Sequence, residues 1–174
     1  GAADDRGDGV DADVVSIVPL ERRVLAVNPV TGPVAETPLA VNETLLVFRT
    51  RGRLGVAVTN RRLLGITSRS AVWAELRLRV SEGNHEPELV VEERVALVRL
   101  PSRIAAISSV SPVWHDVELS GDEQVREIVS SAQVVAVITD RRAIAFAAVA
   151  RRCPSERRRS RSCSRSNGPG TCAS

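Results

Sequence analysis

The hydrophobic pattern of this chain is one of short alternations rather than helical stripes. From Trp73 to Val80 the side chains divide cleanly, with Trp73, Glu75, Arg77 and Arg79 on one side and Ala74, Leu76, Leu78 and Val80 on the other. A period of two marks a strand with one buried face. Three runs rich in Val, Ile, Leu and Thr precede it, Thr44–Arg49, Leu54–Thr59 and Arg62–Thr67, and turn residues Gly52, Asn60 and Ser68-Arg69-Ser70 separate them. These predict four short strands, the last over Val72–Val80. No segment between residues 14 and 150 carries a sustained i, i+3, i+4, i+7 stripe, so almost no helix is expected.

The same design returns. Leu20–Val27, Thr59–Ile66, Leu100–Ile107 and Thr139–Phe146 are each built on a single or paired arginine, and Arg23, Arg62, Arg103 and Arg142 follow one another at intervals of 39, 41 and 39 residues. Fourteen residues after the start of each copy stand Val34, Trp73, Trp114 and Cys153. An acidic residue opens the second, third and fourth units, at Glu43, Glu82 and Glu123. The third unit is two residues longer, which places an insertion near Gly83-Asn84-His85-Glu86-Pro87. Insertions in repeats fall in loops on one face, often the binding face. Each arginine follows a predicted tight turn. Asn60 and Asp140 suit a left-handed backbone there, Pro101 pre-sets a first central torsion, and Glu21 predicts a longer turn.

Four strands at a spacing near 40 residues resemble a β-propeller blade, over residues 14–150 with units at 14–42, 43–81, 82–122 and 123–150. A lone sheet of this size cannot bury its apolar face, and stacking copies around an axis does so. The Gly-His and Trp-Asp marks of WD40 blades and the kelch glycine pair are absent, so the likeness is WD40-like in architecture only. Three, four, four and three strands make fourteen, where a closed four-bladed ring needs about sixteen. The expected fold is therefore all-β, a propeller-like repeat that is incomplete, part of a larger ring, or completed by a second copy. A competing likeness exists. Val56–Leu64 and Val135–Ile144 are similar to the strand-turn-strand of bacterial pleckstrin-homology-like domains, which implies lipid or protein binding. Such a domain uses its hairpin once and ends in a helix.

Composition changes the picture little. Met, Tyr and Lys are absent, all 24 basic residues are arginine, and the aromatics are Phe48, Phe146, Trp73 and Trp114. This fits a GC-rich coding sequence of bacterial type and a core of Val, Leu, Ile and Ala. The formal charge of +3 conceals a division: residues 151–174 carry a net +6 and the remainder a net −3. The Arg/Ser-rich tail from Arg151 reads as an RNA- or phosphate-binding segment, a disordered terminus, or an out-of-frame continuation. Cys153, Cys163 and Cys172 all lie within it, with no metal-ligand spacing. Residues 1–13 read as a flexible acidic leader, in which an EF-hand reading from Asp4 fails at Arg6 and Val15. Arg6-Gly7-Asp8 matches a short adhesion tripeptide and Asn42-Glu43-Thr44 a formal glycosylation acceptor. The absence of a starting Met fits a processed chain or fragment. No apolar run is long enough to span a bilayer, no signal peptide is recognisable, and the compartment stays open.

Candidate chemistry is sparse. The repeated arginines could bind anions, but a residue present in every unit is first a structural device, bonding a carboxylate or carbonyl on a neighbouring blade. Trp73 and Trp114 read as packing residues between blades. His85 beside Glu86 and Glu88, and His115 beside Asp116, break the repeat yet read as solvated loop residues. No nucleophile elbow, phosphate loop or zinc motif is present, so no catalytic or metal residue, cofactor or enzymatic activity is expected. The sequence points to a non-catalytic binding or scaffold module. Its partner would be a protein or extended polymer on the loop face, with nucleic acid reached only through the tail and homo-oligomers covering open sheet edges. The enzymatic alternative is a propeller whose site lies in other blades.

Overall fold

A computed structural model describes residues 15–28 and 32–148, with the side chains of residues 33 and 34 outside the description. The acidic leader, the tail with its three cysteines, and the side chain of Val34 lie outside the described residues. Among those described there are fourteen strands and no helix. They form four antiparallel sheets. Sheet 1 holds β1 (Ser16–Leu20), β2 (Arg23–Asn28) and β3 (Gly32–Pro38), and sheet 2 holds β4 (Leu45–Arg51), β5 (Leu54–Thr59), β6 (Arg62–Thr67) and β7 (Ala74–Arg77). Sheet 3 holds β8 (Glu88–Val91), β9 (Val95–Arg99), β10 (Arg103–Ser108) and β11 (His115–Glu118). Sheet 4 holds β12 (Val125–Ser130), β13 (Val134–Thr139) and β14 (Ala143–Ala147). Strands within a sheet are neighbours in sequence, as in a propeller blade. The hairpin shared with pleckstrin-homology-like domains occurs once in every sheet and no helix caps it among the described residues, so that likeness does not describe this fold.

The sheets stack in chain order through three apolar layers. One joins Ile17, Val24 and Ala26 of sheet 1 to Ala57, Leu64, Ile66 and Trp73 of sheet 2. The second joins Leu54, Val56, Val58 and Leu63 to Val98, Ala105, Ile107 and Trp114. The third joins Val95, Leu97 and Ile104 to Val135 and Val137. Central strands of sheets 2 and 3 are consequently apolar on both faces, and β5 is buried at every position. Alternation reads correctly only where one face is covered.

Several local expectations change. The last strand of unit 2 ends at Arg77 rather than Val80: the Leu78 amide makes one more bond, to the Arg61 carbonyl, and Arg79–Glu82 then closes a turn that leads the chain away. Val80, expected to face inward, stands in that turn and is solvent-exposed. Neither Asn60 nor Asp140 is left-handed; Asn42, with φ of 64°, is the non-glycine with positive φ among the described residues. The hairpins are held instead by side chains. The Thr59 and Thr139 hydroxyls accept the amides of residues 61, 62, 141 and 142 at 2.9–3.1 Å. Asn60 Oδ1 and Asp140 Oδ1 accept the Thr44 and Gln124 amides at 2.9 and 3.0 Å. The turn at Glu21 is no longer than the others, since Leu20 pairs with Arg23.

Candidate functional site

Three of the four repeated arginines anchor the same construction. In each, a turn closes on a glutamate that precedes the first strand: the Glu43, Glu82 and Glu123 amides donate to the carbonyls three residues earlier. Each carboxylate returns to cap the start of its turn, accepting the Ala40, Arg79 or Ser120 amide at 2.8, 2.7 and 3.1 Å. Arginine then grips that carboxylate by two edges. Arg62 Nε and Nη2 reach Glu43 at 2.8 and 3.2 Å, Arg103 reaches Glu82 at 2.9 and 2.9 Å, and Arg142 reaches Glu123 at 3.0 and 3.1 Å. A paired guanidinium–carboxylate fork is a strong, orientation-specific contact.

The same Nη2 group crosses to the preceding sheet. It donates to the Pro38 carbonyl from Arg62 at 2.6 Å, to Arg77 from Arg103 at 2.9 Å, and to Glu118 from Arg142 at 2.7 Å. The remaining Nη1 holds an acid on the last strand of its own sheet, Glu75 for Arg62 and Asp116 for Arg103. Arg23 makes the equivalent bond to Glu36 at 3.1 Å. Arg62, Arg103 and Arg142 thus fasten one sheet to the next, and in Arg62 and Arg103 all three guanidinium nitrogens are engaged within the molecule. In units 2 and 4 a threonine hydroxyl completes the carboxylate shell, Thr59 at 2.9 Å and Thr139 at 2.8 Å. In unit 3 leucine stands at that position and Ser102 supplies the hydroxyl at 3.2 Å.

Burial alone would raise the pKa of Glu43 and Glu82, but the arginine, amide and hydroxyl bonds outweigh it and hold both below the ordinary range. Glu123 is held at about 2, chiefly by Arg142 and the Ser120 amide. A carboxylate whose folded pKa lies below its unfolded value of about 4.3 stabilises the fold above that value and loses its contribution as pH falls. The urea midpoint is therefore expected to hold from neutrality to about pH 4.5 and to fall steadily toward pH 2. A midpoint that stays level throughout that window would contradict the clamp.

The isolated histidines do not form a dyad. His85 Nδ1 lies 3.0 Å from the Ser81 carbonyl, while Glu88 pairs with Arg99. His115 lies on β11 next to Asp116, whose carboxylate is committed to Arg103. Among the described residues no three His, Cys, Asp or Glu side chains converge as metal ligands.

Two hollows break the repeat. The inserted loop folds beside the β5–β6 hairpin, and a Cβ on Gly83 would lie 2.2 Å from the Asn60 carbonyl oxygen. Between this loop and β4 lies a hollow of about 400 Å³, lined by Leu46, Val47, Arg49, Asn84, His85 and Glu86 among others. A second hollow, of about 590 Å³, opens between sheets 3 and 4 beside Ala106, Ile107, His115 and Phe146. Trp73 and Trp114 fill the two earlier junctions: Trp114 lies against Gly65 and donates from Nε1 to the Ala74 carbonyl at 3.0 Å. Their counterpart in unit 4 is Cys153, outside the described residues. Of the histidines singled out from the sequence, His115 lines the second hollow.

Four like sheets, stacked through apolar faces and stitched by repeated arginines, define an all-β array of propeller type. No protein-family profile matches the chain, and no curated protein does. Three solved structures are similar in shape, each with a TM-score of 0.38. One is described as S. cerevisiae Dbp5 bound to Nup159, Gle1, IP6 and ADP, at 7% identity over 72% of this chain and 35% of that one. Another is human WBSCR16, at 12% identity over 76% and 47%, and the third the N-terminal domain of Nup159, at 10% over 77% and 38%. The chain spans less than half the length of each. No helix among the described residues is long and apolar enough to cross a membrane.

Proposed function

We propose that this chain is a non-catalytic binding module that takes a short extended segment of another protein on the rim carrying residues 83–87. The observation that supports this reading is where the repeat breaks. Regular ionisable side chains on this rim, Glu43, Arg62, Glu82 and Arg103, are spent on one another. The irregular ones, Asn84, His85 and Glu86, surround the hollow beside exposed Leu46 and Arg49. A mixed lining, apolar at Leu46, Val47 and Leu89 and polar at Arg49, Asn84, His85 and Glu86, suits an apolar anchor residue flanked by a backbone in need of hydrogen bonds.

Panning a displayed random-peptide library against the immobilised chain tests it. Enriched peptides should lose about tenfold or more in affinity for a Leu46→Arg, Arg49→Glu variant that melts like the parent chain. Peptides that bind the variant equally well would place the binding face elsewhere. Hydrolysis of ester, phosphate or glycoside substrates, abolished by His85→Ala or His115→Ala, would replace this reading with an enzymatic one.

A further inference from the structure

We propose that copies of this chain associate head-to-tail, the outer face of sheet 4 in one copy packing on the outer face of sheet 1 in the next. The rule is already written three times inside the molecule. Every sheet has a clamp face, which bears its arginine, and a plain face behind it. At each internal junction the clamp face of one sheet lies on the plain face of the sheet before. Among the described residues two faces remain without a facing sheet, at the ends of the stack: the clamp face of sheet 1 and the plain face of sheet 4.

Position by position, both ends match faces that are buried elsewhere. On the plain face, Leu54 and Val95 are buried where Val134 is 37% exposed, and Val58 is buried where Ile138 is 37% exposed. On the clamp face, Ala57, Val98 and Val137 are buried where Val18 is 39% exposed. Thr59, Leu100 and Thr139 are buried where Leu20 is 38% exposed. Such contiguous apolar surface is what association covers.

The shapes correspond too. A small residue recurs at one point of the plain face, as Ala26, Gly65, Ala106 and Ala145. At the sheet 2–3 junction it admits Ile107, whose Cδ1 lies 2.4 Å from where a Gly65 Cβ would sit. Ile107 occupies the position of Val27 in sheet 1. Ala145 therefore offers the hollow, and Val27 of a second copy the knob. Arg23, among the described residues, is bonded to Glu36 alone, while its three counterparts also reach the sheet before. In a solution of this chain, the surface of matching design is the opposite end of another copy. A contact between unlike faces is heterologous, and repetition of it closes a ring or extends a filament.

Sedimentation of the full chain across a dilution series tests this. Species heavier than one chain are expected, dissociating on dilution. Val18→Arg and Ala145→Arg should each weaken association by about thirtyfold or more while leaving the circular dichroism and melting of the single chain unchanged. Leu20→Lys and Ile138→Lys serve should either variant unfold. An equimolar mixture of the two blocked variants keeps one intact face of each kind, so it should form two-chain species and nothing larger. A parent chain that stays single at every concentration overturns the proposal. So does a mixture that stays single, or an Ala145→Arg chain that still self-associates through a symmetric contact.

Discussion

Replacing Glu82 with alanine is expected to destabilise the protein by about 3–5 kcal/mol, the usual cost of leaving one member of a buried ion pair without the other. Both Glu82 and Arg103 are buried, and the carboxylate also caps the Arg79 amide and the Ser102 hydroxyl. Its loss strands a guanidinium that still bonds Asp116 and the Arg77 carbonyl. The effect should exceed that of Glu43→Ala, because Arg62 is more open to water than Arg103. A Glu82→Leu, Arg103→Met double variant should recover much of the loss, since it removes both charges instead of one. Urea unfolding with an unchanged slope measures this. A loss for Glu82→Ala below about 1 kcal/mol, the range of surface pairs, would mean that the clamp is wet.

Trp114→Ala should cost a comparable amount, about 3–5 kcal/mol for deletion of a buried indole. The ring closes the layer between sheets 2 and 3, and its N–H satisfies the Ala74 carbonyl. Trp73→Ala should cost less. Its indole is buried at the preceding junction, but its Nε1 has no hydrogen-bond partner among the described residues. Trp114→Phe separates the two contributions, keeping most of the apolar area while forfeiting the hydrogen bond. Thermal melts of the four proteins should rank parent, Trp114→Phe, Trp73→Ala and Trp114→Ala in falling order, with the second and third close together. Equal losses for the two alanine variants would argue against a role for the Ala74 bond.

The repeat, the all-β class and the strand count were legible because each depends on local spacing. Arg23, Arg62, Arg103 and Arg142 mark hairpins by recurrence, and runs of Val, Ile, Leu and Thr between turn residues mark strands even where both faces are covered. The clamp was only half legible. Glu43, Glu82 and Glu123 stood out as openers of units, yet nothing local joins them to arginines 19 or 21 residues further on. Their separation does follow the insertion in unit 3, and that shared offset was the available signal. The hairpin turns differ from the expectation because a threonine hydroxyl, with the Asn60 carboxamide or the Asp140 carboxylate, does there what left-handed residues do elsewhere. Free and covered faces were not distinguishable at all, since Val58 and Ile138 are equally apolar and differ only in what lies against them. The hollow beside β4 lies against the loop that the insertion lengthened, and the spacing located that insertion.

The carbonyl gripped by Arg62, Arg103 or Arg142 belongs to the backbone of the unit before, so the bond asks nothing of that unit's side chains. Pro38, Arg77 and Glu118 serve the purpose equally well. Such a junction is indifferent to where in the array it stands, and nothing within it counts. A gene lengthened or shortened by whole units would keep every fastening in register, leaving the size of the assembly to be set elsewhere than in its seams.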